Sequence, residues 1–401
     1  MTLIEILKMA FHKNASDVHL KAGLVPVIRK HGKLRPLSSK LKKLSHDELL
    51  TMAHSILDPQ QIGTLEKNKE IDLGYGISGV GRFRINIFFQ RGTLRMVIRN
   101  IPHSVPTLDE LHLPKSLEKL ADAERGLVLI TGATGSGKSS TLAALVQQIN
   151  QHKNKHIITI EDPIEFLIRD RRSIISQREV GTDTPSFATA LRAALRQDPD
   201  VILIGEMRDP ETIAVALSAA ETGHLVLSSL HTLDAQESVN RILSAFNPFE
   251  QAQVRRQLAG VLNAVVSQRL ARRKDGNGFV PAVEVLITNH RVKEMIEDPQ
   301  RTSDIHDVLE EGNDPNGTQN FDQSLLNLLM SDLITYEEAH RLSTHPEDFA
   351  LRVSGISSGN VQWSKDAQVK NPTEQQGWEQ LETLEIESNY DFSLNDDDFE
   401  S

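Results

Sequence analysis

Near-continuous apolar runs alternate with helical patterns from about residue 115 to residue 290. The four clearest runs are GLVLIT (126–131), HIITIED (156–162), DVILIGE (200–206) and HLVLSSLHT (224–232). Such strands are typical of a parallel sheet that is covered by helices on both faces. The pattern therefore predicts an α/β domain with a RecA-like core over residues 115–290.

The first hundred residues show a mixed pattern that predicts a smaller α+β domain. The sequence VPVIRKHGKLRPL favours a β-hairpin around a His-Gly turn. In GRFRINIFFQ (81–90), apolar residues alternate with Arg82, Arg84 and Asn86, so both arginines share one face of a strand. A second strand returns over 94–100. Three prolines in residues 101–114 then indicate an interdomain linker.

The last part of the chain changes in composition. Helical patterns continue over residues 291–354, and periodicity then stops. Residues 355–401 are rich in Ser, Asn, Gln, Gly and acids, which predicts a disordered acidic tail. Its aromatic residues, including Trp378, leave open a second interpretation, a short docking motif for an unknown partner.

Charge and composition narrow the class of protein. Residues 366–401 hold eleven acidic residues and one basic residue, so they account for ten of the eleven net negative charges. The remaining body is nearly neutral and gives no electrostatic signature of nucleic-acid binding. No apolar run approaches the ~20 residues of a membrane span. The N-terminus lacks a signal-peptide pattern and the chain has no cysteine, so we expect a cytoplasmic protein.

The candidate chemistry begins directly after GLVLIT, where GATGSGKSS fits the pattern GxxxxGK[ST]. Its glycines allow a tight bend, so that backbone N–H groups and the following helix N-terminus face an anion. We expect Lys138 to reach the β- and γ-phosphates and Ser139 to ligate Mg²⁺. The predicted site for ATP consists of Gly132, Ala133, Thr134, Gly135, Ser136, Gly137, Lys138, Ser139 and Ser140.

Further candidates lie at the ends of the other predicted strands, where ligands bind in open α/β sheets. Glu206 ends VILIGE and is expected in the metal shell together with Ser139, whereas Glu165 of TIEDPIEF would orient water. The two carboxylates could exchange these roles. His224 and His231 flank one strand, and contact with the phosphate or the carboxylates is as well supported as simple core packing.

Four ordered segments, GATGSGKSS, TIEDPIEF, LIGEMRD and AETGHLVLSSLHT, resemble the Walker A, Asp box, Walker B and His box of the secretion and pilus ATPase superfamily. SDVHL and the arginine-bearing strands resemble its PAS-like N-terminal domain. The resemblance covers residues 1 to about 350. It implies a homohexamer that binds nucleotide between a PAS-like domain (1–100) and the core. Arg82, Arg84 and Arg99 would then reach the nucleotide across the domain interface.

Within that superfamily the chain is most similar to type IV pilus retraction ATPases of the PilT/PilU group. This implies an ATP-hydrolysing motor for pilus retraction and twitching motility. It would act on a platform protein from the cytoplasmic face of the inner membrane. The absence of a four-cysteine zinc module supports a retraction ATPase over an extension ATPase.

Two alternatives remain. The chain lacks an AIRAGE-like segment, and GTQNFDQSL with a long tail resembles the PilU branch, which would act beside a paralogous retraction ATPase. A RecA-like nucleic-acid translocase is the weaker alternative, and no nucleic-acid partner is expected.

Overall fold

The computed structural model describes residues 1–30, 32–101, 104–312 and 317–355. Within these ranges the chain forms two sheets, each with its own helices. The predicted acidic tail lies outside the described residues except for Gly355. Each helix in the described ranges is too short or too polar to span a lipid bilayer.

The N-terminal sheet is antiparallel and has the order β3-β2-β1-β6-β5-β4. Its strands are β1 (Asp17–Lys21), β2 (Val27–Lys30), β3 (Lys33–Pro36), β4 (Glu70–Ile77), β5 (Gly81–Gln90) and β6 (Thr93–Ile101). The helices α1 (Leu3–His12), α2 (His46–His54) and α3 (Pro59–Asn68) share its apolar core. The predicted hairpin, β2 and β3, is present. The alternation in β5 is also confirmed, because Phe83, Ile85 and Ile87 are buried.

The second sheet has the order β13-β12-β7-β11-β10-β8-β9. Its strands are β7 (Gly126–Thr131), β8 (His156–Glu161), β9 (Ile174–Glu179), β10 (Val201–Ile204), β11 (Leu225–Leu230), β12 (Leu262–Arg272) and β13 (Phe279–Ile287). All pairs are parallel except β12 with β13. The four predicted apolar strands, β7, β8, β10 and β11, are thus adjacent and parallel, as the α/β prediction requires.

Helices cover both faces of this sheet and form two apolar clusters with it. They are α4 (Ser116–Ala121), α5 (Lys138–His152), α6 (Phe187–Ala194), α7 (Pro210–Glu221), α8 (Ala235–Ser244), α9 (Pro248–Val261), α10 (His290–Glu297) and α11 (Ile305–Glu311). A short 3₁₀ helix (Thr302–Asp304) precedes α11. Because the strands are parallel, the loops after β7, β8, β10 and β11 meet at one edge of the sheet.

The C-terminal helices pack on the antiparallel end of the same sheet. They are α12 (Phe321–Met330), α13 (Tyr336–Leu342) and α14 (Pro346–Val353). Leu325, Leu328 and Phe349 form an apolar cluster with Ala271 of β12 and Val280 of β13. The C-terminal helical segment is therefore part of the folded body.

Candidate functional site

The loop between β7 and α5 has the conformation of a phosphate cradle. Gly132 and Gly137 have φ angles of 140° and 94°, which side chains rarely adopt. A Cβ at Gly132 would also lie 2.5 Å from the carbonyl oxygen of Gln268. No side chain caps the N-terminus of α5, so its first N–H groups are available to an anion.

Lys138, the first residue of α5, lies across this loop. Its side chain is largely buried, and Nζ donates to the carbonyl oxygens of Gly132 at 2.7 Å and Ala133 at 3.0 Å. Burial lowers the pKa of Lys138, while the negative charge of Glu206 opposes that shift. Phosphate oxygens offer Nζ the same kind of acceptor with a full negative charge, which makes a stronger hydrogen bond.

A cavity of about 740 Å³ opens above the loop, a size that suits a nucleotide. It is lined by side chains from both sheets. Eleven of the residues predicted from sequence line it, namely Arg84, Arg99, Thr134, Gly135, Gly137, Lys138, Ser139, Ser140, Glu165, Glu206 and His231. The other three predicted loop residues do not line the cavity. The carbonyl oxygens of Gly132 and Ala133 accept hydrogen bonds from Lys138, and Ser136 is buried in the loop.

Glu206 follows β10 and is the centre of a small charged group. Its Oε2 accepts a hydrogen bond from Arg208 Nε at 2.6 Å, and His231 Nε2 lies 3.4 Å away. His231 follows β11, the strand next to β10. It therefore contacts the carboxylate that faces the nucleotide cavity. Arg208 lies within the LIGEMRD segment and also lines the cavity, although the sequence alone predicts no role for it.

Two further acids line the cavity beside Glu165. Burial raises the pKa of Glu161, although hydrogen bonds from Thr159 at 2.7 Å and Gln177 at 3.2 Å oppose that shift. Burial is also the main cause that raises the pKa of Asp162, and the negative charge of Glu206 raises it further. The positive charge of Arg84 acts in the opposite direction and lowers it. Both acids lie in the TIEDPIEF segment, of which only Glu165 is predicted from the sequence to have a role.

The oxygen atoms at the cavity suit a magnesium ion. Ser139, which carries a hydroxyl group, and Glu206, which carries a carboxylate, both line it. Mg²⁺ prefers oxygen ligands and binds through one or two protein groups together with phosphate oxygens and water. The residues present therefore fit the predicted metal.

Arg82 is not brought to the cavity lining, in contrast to the sequence prediction. Its Nη2 donates to Glu179 Oε2 at 2.7 Å, and this glutamate is only 3% exposed. Glu179 lies on β9, the edge strand of the core sheet, and also accepts from Ile164 N at 3.1 Å. A Cβ on Gly74 would lie 2.5 Å from Glu179 Oε1, so the backbone approaches closely there. Arg82 thus joins the N-terminal sheet to the core.

Arg84 and Arg99 do reach the cavity from the same sheet. They lie directly opposite each other on β5 and β6. Arg99 Nε lies 3.2 Å from Asp17 Oδ1, and Arg84 Nε lies 4.0 Å from Asp72 Oδ1. Both side chains are substantially exposed, so their guanidinium groups remain able to contact a phosphate.

His224 is also absent from the cavity, against the prediction. It precedes β11, whereas His231 follows it, and six residues of strand separate the two by roughly 20 Å. His224 Nδ1 lies 2.8 Å from the carbonyl oxygen of Ala219 at the end of α7. His224 therefore lies at the edge of the sheet opposite the cavity, where it contacts the end of a helix.

Known proteins resemble this chain in sequence over most of its length. Residues 2–299 match the family described as Type II/IV secretion system protein. A twitching motility protein of Neisseria gonorrhoeae is 43% identical over 350 residues, which cover 87% of this chain and 92% of that protein. The type IV pilus ATPase PilU of Pseudomonas aeruginosa is 38% identical, with 88% and 91% covered.

A solved structure is similar over the same length. The crystal structure of the pilus retraction motor PilT with bound ADP matches with a TM-score of 0.79 at 42% identity. The match covers 86% of this chain and 98% of that one. The shared fold therefore extends across both sheets.

Proposed function

Because the chain belongs to the Type II/IV secretion system protein family and is an ATPase of that family, we propose that it powers type IV pilus retraction. The observation that carries the proposal is the similarity to the ADP-bound retraction motor PilT over 98% of that chain. The similarity to a twitching motility protein supports the same function.

ATP hydrolysis needs binding of the phosphates, neutralisation of charge, and a group that orients water. Lys138 and the N–H groups of α5 would bind the β- and γ-phosphates. Ser139 and Glu206 would hold Mg²⁺, which neutralises phosphate charge, and Glu165 would orient the attacking water. We propose this division, with the roles of the two glutamates interchangeable.

The cavity is lined by residues of both the N-terminal sheet and the core. This shared lining suggests how hydrolysis could move one of these two parts relative to the other. Arg84 and Arg99 come from the N-terminal sheet, whereas the phosphate loop comes from the core. An arginine that binds the γ-phosphate loses that contact when phosphate leaves, so the two parts are held together more strongly with ATP. We propose that a homohexamer transmits this change to a platform protein at the cytoplasmic face of the inner membrane.

Complementation of a clean deletion strain tests the proposed function. Wild-type protein should restore retraction of labelled pili, and Lys138→Ala should fail to do so. Lys153→Ala is a matched control, because Lys153 caps the other end of α5, does not line the cavity, and pairs with the exposed carboxylate of Asp122 at 3.4 Å. Retraction by the Lys138→Ala protein at the control rate would contradict the proposal.

An accessory role beside a paralogous retraction ATPase is the second candidate, because the chain is also 38% identical to PilU. Expression as the sole retraction ATPase separates the two roles: independent retraction supports the motor, and retraction only with the paralogue supports the accessory role. ATP turnover that rises on addition of DNA would instead favour a nucleic-acid translocase.

A further inference from the structure

A group of metal-ligating side chains lies outside the nucleotide cavity, where α11 meets the start of α14. His306 and Glu310 are one turn apart on α11, and His345 directly precedes α14. Their ligand atoms all lie within 4.8 Å of one another. We propose that these three side chains form a binding site for a divalent transition-metal ion such as Zn²⁺.

The distances suit a shared ion. His306 Nε2 lies 3.3 Å from Glu310 Oε1, and His345 Nε2 lies 3.8 Å from the same oxygen. Two ligands bound tetrahedrally at 2.0–2.1 Å are about 3.3–3.4 Å apart. The separation of 3.8 Å is too long for a hydrogen bond. All three side chains are about half exposed, so small rotations can close the site and water can complete the coordination.

The backbone positions of the ligands are well fixed. Ile305 and Leu309 are buried and anchor α11 in the core. On the other side, the buried carboxylate of Asp322 accepts hydrogen bonds from the backbone N–H groups of Thr344 at 2.8 Å and His345 at 3.3 Å. A site whose ligands stand on such fixed elements loses little entropy when the ion binds.

The charges around the site favour a cation. Among the described residues, the imidazoles of His306 and His345 lie within 3.8 Å of the Glu310 carboxylate, and no lysine or arginine forms an ion pair with it. The neighbouring Glu311, in contrast, pairs with Arg291 at 2.6 Å. Two imidazoles and one carboxylate are a donor set typical of Zn²⁺, whereas Mg²⁺ and Ca²⁺ prefer oxygen alone.

A bound ion would connect two apolar clusters. Helix α11 belongs to the core cluster, and α14 places Phe349 in the cluster of the C-terminal helices. Coordination across them would oppose local opening of α14, because the opened state loses a ligand. The consequence is a metal-dependent attachment of the last described helix to the ATPase core.

Calorimetric titration of Zn²⁺ into the nucleotide-free full chain, with excess Mg²⁺ present, tests the site. One Zn²⁺ per chain should bind the wild type. His345→Ala and Glu310→Gln should each weaken Zn²⁺ binding about 100-fold or more. Loss of a group that only hydrogen-bonds to a metal ligand already lowers metal affinity about 10- to 100-fold, and these substitutions remove a ligand itself. His290→Ala is the matched control: His290 and Glu294 are also four residues apart, at 3.2 Å, and have no third ligand among the described residues. It should leave binding unchanged.

Two further readouts identify the site. Zn²⁺ should slow amide hydrogen exchange in α14 of the wild type and the control but not of His345→Ala. Co²⁺ should give a visible absorption band that Glu310→Gln lacks, while circular dichroism shows that the variants are folded. Absence of stoichiometric binding, or equal binding by His345→Ala and the wild type, would overturn the proposal.

Discussion

Glu284→Gln should change the pH dependence of stability. Glu284 lies on β13, is 4% exposed, and accepts a hydrogen bond from Ala235 N at 2.9 Å. Ser267 Oγ is 3.4 Å from the same carboxylate oxygen and accepts from Thr131 Oγ1, beside the phosphate loop. Burial raises the pKa of Glu284 from 4.5 to about 7. Glutamine has the same shape, can accept from Ala235, and carries no charge to bury.

The magnitude follows from linkage between protonation and folding. The folded state binds the proton on Glu284 more tightly than the unfolded state does. This proton binding therefore stabilises the folded state fully below pH 4.5, and the stabilisation is lost as pH rises through about 7. A shift from 4.5 to about 7 corresponds to roughly 3 kcal/mol at 1.36 kcal/mol per unit. The stability of the variant relative to wild type should therefore rise by up to that amount between pH 4.5 and pH 8.

The assay is urea unfolding of nucleotide-free protein at several pH values across this range. Glu337→Gln serves as a control, because Glu337 is exposed on α13. The difference between Glu284→Gln and wild type should grow with pH, while that of the control stays nearly constant. A difference for Glu284→Gln that does not depend on pH would refute the reasoning.

The two arginines of β5 should behave differently on substitution. Arg84→Gln should reduce ATP turnover at least tenfold with little change in melting temperature, because Arg84 lines the cavity; unchanged turnover would contradict this. Arg82→Gln should destabilise the protein by about 3 kcal/mol in urea unfolding, because it leaves the buried Glu179 carboxylate without its cation. Gly74→Ala should weaken the same contact through its close approach to Glu179, and a double-mutant cycle with Arg82→Gln showing strict additivity would count against it.

The sequence predicts the core sheet well where the strands are apolar on both faces, as in β7 and β11. It does not reveal β12 and β13 as clearly, because they bury polar residues such as Gln268 and Glu284. Strand β9 is an edge strand with half-buried residues, so its pattern is weak as well. These strands are specified by partners that are distant in sequence.

The residues of the site, like the strands, can be predicted where they are close together in sequence. They cannot be predicted where their positions depend on contacts with distant residues. The phosphate loop is contiguous, so its residues are recognisable together. Arg82 and Arg84 share one strand face, and only the contact of Arg82 with Glu179 of the core distinguishes their positions. His224 could have been separated from His231, because residues before a parallel strand lie at the edge opposite the ligand site.

The central claim, that the cavity around Lys138 is the site of ATP hydrolysis, is tested most directly by phosphate release from the purified full chain with ATP and Mg²⁺. Lys138 donates its hydrogen bonds inside the phosphate loop and faces the cavity. Lys138→Ala should abolish turnover while Lys153→Ala retains it. Turnover by Lys138→Ala equal to that of the wild type would contradict the account.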